Sequence, residues 1–122
     1  MRLKSEIWVA AYRRRCEIAG AFAVMRRRGA AEAGAILIKI DRLDGNVALY
    51  GPAPQSFFGE GETERRFVRM HPQEAIENAA AEARIEKELR FDPDLWIVEV
   101  EDRSGRSFLL PEEAGSPSAS GP

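Results

Sequence analysis

Apolar and polar positions change period several times along this chain, and each period predicts an element. Ser5 is a plausible N-cap for a helix over about 6–19, which Gly20 ends. Trp8, Ala11, Tyr12 and Ala19 share one side of it, with Ile18 beside them. Arg15 falls inside that stripe, so its stem must snorkel or its head must find a partner. "AFAVMRRRG" (21–29) reads as a strand, and "GAILIKIDR" gives a second over about 34–42. There Ile36, Ile38 and Ile40 line one face, and Leu37 and Lys39 the other. Asp44-Gly45 then predicts a two-residue hairpin into a third strand over about 46–51.

The segment "GPAPQSFFGEGETER" is loop, with Phe57 and Phe58 at its centre, and "RFVRM" (66–70) is a short strand. "HPQEAIENAAAEARIEKELRF" is the clearest helix, with Pro72 at its first position. It carries two apolar stripes, Ile76/Ala79/Ala80/Ala83 and Ala81/Ile85/Leu89, where a surface helix needs one. Asp92-Pro93-Asp94 ends it, "LWIVEVED" (95–102) is a strand, and "SFLLP" (107–111) can pair back as a last one. The expected fold is α+β: a mainly antiparallel sheet ordered helix, three strands in a meander, short strand, helix, strand, short strand. Two principal helices pack on it, and the strand after the second helix can lie parallel to a neighbour. A single domain is expected over 1–111, followed by a disordered polar tail over 112–122.

Composition narrows the functional classes. The 122 residues are 44% hydrophobic and 31% charged, which fits a folded soluble domain. No apolar run approaches the roughly 18–20 residues of a membrane span, and Arg13 to Arg15 break up any secretory signal, so cytoplasmic residence is expected. A lone Cys16 forms no internal disulfide. The net charge of -2 is split: residues 1–50 carry ten Lys/Arg against five acids, or +5, which leaves -7 for the rest. The simplest reading is that the two halves fold against each other.

The stretch "RFDPDLWIVEVEDRSGR" concentrates carboxylates around a tryptophan. On its strand Trp96, Val98 and Val100 share one face, while Leu95, Ile97, Glu99 and Glu101 share the other. Glu99 and Glu101, with Asp41 from another strand, are therefore the candidates for a divalent-metal site. The element order and Pro93-Asp94 ahead of Glu99-Val100-Glu101 echo the PD-(D/E)XK nucleases, with glutamate in place of the final lysine. Asp94 and Glu99 lie along one segment, however, roughly 16 Å apart if extended, too far to share an ion. A turn and the wet side of a strand is the reading the residues favour, with no metal or cofactor. His71 has no nucleophile partner, one Cys and one His cannot make a four-ligand zinc site, and no phosphate-cradle motif occurs.

Two kinds of surface remain as partner sites. Phe57 and Phe58, or the stripe with Ile85 and Leu89, would serve a protein partner or self-association. Arg26, Arg27 and Arg28 are the weaker candidates for nucleic acid, with a solvated rim as the simpler reading. "MRLKSEIWVAAYRRRCEIAGAFAVMRRRG", "AGAILIKIDRLDGNVALYGPAPQ" and "RFDPDLWIVEVEDRSGRSFL" together resemble the bacterial domain-of-unknown-function family numbered 1491, found mostly in Alphaproteobacteria. The resemblance spans about 2–55 and 75–110 and implies one compact cytoplasmic domain; it transfers no catalytic residue. A non-catalytic protein-binding or adaptor module is the expected function, ahead of a metal-dependent nuclease-like or phosphoesterase-like domain and a nucleic-acid binder.

Overall fold

A computed structural model describes residues 2–54 and 65–115. Its elements run α1 (Ser5–Ile18), β1 (Phe22–Arg27), β2 (Ile36–Asp41), β3 (Asn46–Pro52), β4 (Phe67–Arg69), β5 (Ile76–Glu77), α2 (Asn78–Phe91) and β6 (Trp96–Glu101). The sheet order is β1-β6-β2-β3-β4, with β5 also pairing to β3. Four of these pairings are antiparallel and one, β2 with β6, is parallel. The α+β class read from the sequence is correct.

The expected meander of the first three strands is not formed, because β6 inserts between β1 and β2. β2 suits a central place: five of its six residues are buried, as a strand covered on both faces requires. The β1–β2 connection arches over the start of β6 and clamps it. Ala30 N–H donates to Asp94 O at 3.0 Å, Trp96 Nε1 donates to Ala30 O at 2.7 Å, and Trp96 N–H donates to Ala35 O at 2.8 Å. Gly29 and Gly34 make the close passage possible. A Cβ on Gly29 would stand 2.1 Å from Asp94 O, and one on Gly34 2.4 Å from the same atom.

Each helix covers one face. Trp8, Val9, Tyr12 and Cys16 of α1 pack on Ile36, Ile38, Ile40, Trp96, Val98 and Val100. Ala81 and Ile85 of α2 pack on Leu37, Val47, Leu49, Leu95 and Ile97. Ala11, Ile18 and Ala19, assigned to the α1 stripe from spacing, are exposed. Ser5 does not cap α1 with its side chain, which donates instead to Gly34 O at 2.6 Å. The first helical N–H groups go to Glu32 O and Ala31 O, carbonyls of the clamping loop. Gly20 ends α1 as expected: at φ +92° its N–H reaches Glu17 O, and that of Ala21 reaches Cys16 O, a Schellman motif.

Other boundaries differ from the sequence reading. α2 begins at Asn78, because Ile76 and Glu77 first pair with Asn46 and Val47. The hairpin turns through Leu43, Asp44 and Gly45, closed by Arg42 N–H on Asn46 O, with Leu43 also at positive φ. Residues 107–111 form no strand: Ser107 O accepts from the Tyr12 hydroxyl and Phe108 O from Arg15. Residues 112–115, assigned to the tail, pack against the domain. Glu113 is buried and gives Arg15 its partner at 2.8 Å, while Phe67 N–H donates to Glu113 O.

Gly29 and Gly20 separate two uses of glycine. Gly29→Ala forces a methyl against backbone that cannot rotate away and is expected to cost about 3 kcal/mol. Gly20→Ala meets open space and only the left-handed φ, about 1 kcal/mol. Urea denaturation of both variants checks this; equal losses would sink the clamp.

Candidate functional site

On the α2 face of the sheet, chemistry-bearing side chains meet in one cluster. β1 slips register between Met25 and Arg27, which leaves Arg26 without a cross-strand partner. Its guanidinium takes Glu82 of α2 in a two-pronged grip, at 2.6 and 2.8 Å, and Glu99 of β6 at 2.8 Å. Lys39, the register partner of Glu99 on β2, is 5% exposed and donates to Glu82 at 2.5 Å. Its ammonium stands 3.9 Å from Glu99. Two cations and two anions therefore cancel. Hydrogen bonding to Arg26, with Lys39 adding to it, holds the Glu82 carboxyl at about 2, and Glu82 raises the Arg26 pKa in turn. Neither group exchanges a proton near neutral pH, so neither suits acid–base catalysis.

This arrangement accounts for the acidic candidates. Glu99 is turned to Arg26, and Glu101 is exposed. Asp41 is the register partner of Glu101, but its Oδ1 accepts from Leu43 N–H at 2.8 Å. Among the described residues no three His, Cys, Asp or Glu side chains stand together to hold a metal. Asp92 shapes its turn by accepting from Asp94 N–H, and Asp102 binds Arg106 through both oxygens.

The arginine triplet does not present a free cationic patch. Arg26 belongs to the cluster, Arg27 donates to Leu95 O at 2.7 Å, and Arg28 pairs with Glu6 and lies over the Trp96 ring. Ile85 is corrected as a partner-binding residue: at 1% exposure it is core, and Leu89 packs beside it. The outward stripe is the other one, with Ala79, Ala80 and Ala83 exposed. Phe57 and Phe58 lie outside the described residues.

Sequence reasoning passed over Glu82 and Glu113. The signals were present: Lys39 in an otherwise apolar central strand and Arg15 in an apolar stripe each require a counter-charge. Cys16 is buried, and burial raises its pKa, which leaves the thiol inert. His71 is a structural group. Its Nε2 accepts from Leu49 N–H at 3.0 Å, so its Nδ1–H faces Gln73 O at 2.9 Å. The ring thereby fills a rung of β3 between the stretches that β4 and β5 pair.

Two open grooves flank α2. One, of about 520 Å³, lies along Arg26, Ala79, Glu82, Ala83 and Leu89. The other, of about 350 Å³, lies between α2 and the β3–β4 edge. Leu37 and Leu95 line its base, Pro52, Val68 and Met70 its sides, and Arg84, Glu88 and Asp92 its rim.

The profile described as "protein of unknown function (DUF1491)" matches residues 3–110. The chain belongs to the DUF1491 family. A crystal structure of a DUF1491 protein from Caulobacter crescentus is 40% identical, with 93% of this chain and 98% of that one aligned at a TM-score of 0.73. The solution structure of Atu0922 from A. tumefaciens is 46% identical over 83% of this chain and 86% of that one, at 0.71. No curated protein matches the chain. Among the described residues of this DUF1491 domain, no helix is long and apolar enough to cross a membrane.

Two pH responses follow from the site. With its folded pKa depressed, Glu82 contributes stability in full above pH 4.5, and that contribution is lost as pH falls towards 2. Glu82→Gln should lower stability at pH 7 and narrow the difference between pH 7 and pH 3 in urea melts. Burial, reinforced by Arg69 and Arg84, also lowers the His71 pKa from 6.5. The unfolded chain therefore binds the proton first, and stability drops as pH falls below about 6.5. His71→Ala leaves the Leu49 N–H without its acceptor, a loss of about 1–3 kcal/mol. Melts at pH 7.5 and 5.5 should show that variant less pH-dependent than the wild type.

Proposed function

We propose that this DUF1491 protein is a non-catalytic binding module that receives apolar side chains of a protein partner in the groove between α2 and the β3–β4 edge. The observation that carries the reading is the groove's composition. Half-buried Val68 and Met70, with exposed Pro52, stand over a base of Leu37 and Leu95. The rim charges are already engaged, since Arg84 pairs with Glu88 at 2.9 Å and also donates to Met70 O. An apolar centre inside a polar rim is the ordinary anatomy of a recognition surface. The self-neutralised cluster on the other side of α2 supports the same reading, because it keeps no group in reserve for chemistry.

A photo-crosslinking residue at position 68, compared with one at exposed Arg103, tests this in the source bacterium. A discrete protein adduct from position 68 alone, abolished by Met70→Glu, is expected. Equal labelling from both positions would overturn the reading. So would magnesium or manganese shifting the amide signals of Glu99 and Glu101 in a saturable way, which would favour metal-dependent chemistry.

A further inference from the structure

At the N-terminal end of α1, away from both grooves, a cation is buried without a counter-charge among the described residues. Arg65, just ahead of β4, is only 6% exposed. Its Nη2 donates to Leu3 O at 2.8 Å and to Ser5 Oγ at 3.0 Å, while its Nε is buried with no acceptor. No carboxylate pairs with it among the described residues. That contrasts with Lys39, equally buried and facing two glutamates. Buried charges are normally paired, since desolvating an isolated one is expensive. Desolvation, with Arg2 adding to it, pushes the Arg65 pKa down to about 10, the response of a guanidinium lacking an anion.

Arg65 and Arg2 line a cavity of about 80 Å³ together with Leu3, Trp8 and Glu113. Glu113 does not supply the missing charge. Its carboxylate is held by Arg15, by Trp8 Nε1 at 3.2 Å and by Leu110 N–H at 2.9 Å. Among the described residues no carboxylate pairs with either of these two positive charges on the cavity wall, and the positive end of the α1 dipole adds to them. At roughly 30 Å³ per water, the space takes a group of a few heavy atoms and no nucleotide.

We propose that this cavity binds a small oxyanion, of the phosphate or carboxylate class, held by the guanidinium groups of Arg65 and Arg2. The inference is independent of the protein-binding role, which uses the opposite face of the sheet. Inorganic phosphate and acetate, each titrated into the full chain at ionic strength matched with sodium chloride, supply the test. The Arg65 Nε–H and Trp8 indole N–H signals should move saturably, and the melting temperature should climb with the logarithm of anion concentration. Whichever titrant saturates at lower concentration identifies the class. Arg2→Ala removes an exposed side chain and should weaken binding about tenfold, the scale of one charge-assisted contact. Arg65→Lys keeps the charge, loses the planar fork and should weaken it further. The proposal is overturned if neither anion acts beyond the chloride control, or if Arg2→Ala binds as tightly as wild type. The Arg2 comparison decides even if the Arg65 variant fails to fold.

Discussion

Strand β6 is made late in the chain yet has to enter the middle of the sheet, and both helical layers depend on that insertion. Trp96, Val98 and Val100 point into the α1 core, and Leu95 and Ile97 into the α2 core. Each such side chain contributes roughly 1.5–3 kcal/mol on burial, so a β6 left at the edge would weaken two layers at once. The insertion is fixed at its start by the β1–β2 connection, whose two glycines let backbone pass against backbone at Asp94. That contact explains why "FDPDLW" stands as it does: a turn to stop α2, a carbonyl to meet Ala30, and an indole whose N–H returns to the same loop.

Electrostatics follow the topology. Placing β6 beside β2 sets Glu99 next to Lys39, and the bulge in β1 frees Arg26 to reach across to both Glu99 and Glu82. Every one of these pairs joins a cation from residues 1–50 to an anion from beyond, as does Arg15 with Glu113. Part of the uneven charge along the sequence is thus paired internally, through Arg15, Arg26 and Lys39. An isolated exposed pair is worth little. A network with one member almost wholly buried is different, because removing Glu82 leaves the buried Lys39 with no carboxylate nearer than Glu99 at 3.9 Å.

What could be read from the sequence was local. The face alternation in β2 and β6 follows from period-two patterning and came out residue by residue. The Gly20 stop did too, because it depends on a single left-handed residue. Pairings between distant segments were less legible: hairpin logic favours neighbours in sequence, so the meander was expected, and the strand after α2 was read only as able to lie parallel to some neighbour, not as inserted between β1 and β2. The start of α2 was misplaced for a related reason. Helical propensity runs back to Pro72, but Ile76 and Glu77 gain backbone partners on β3 that no local rule reports. At the candidate site, Glu99 was expected on the wet side of its strand, with a metal as the less favoured alternative; its partner is the Arg26 guanidinium, which no spacing along β6 could report.

Arg65, which no carboxylate pairs among the described residues, connects to the clamp itself. Its Nη2 rests on Ser5 Oγ, and that hydroxyl in turn donates to Gly34 O, the carbonyl of one of the two glycines that pass over Asp94. The first N–H groups of α1 end on Ala31 O and Glu32 O in the same loop. A charge that settles Arg65 therefore acts on a continuous chain of hydrogen bonds reaching the point where β6 is held. Linkage requires such an anion to stabilise the folded chain by an amount set by its concentration over its dissociation constant. An anion bound at Arg65 would thus favour the clamped arrangement of β6.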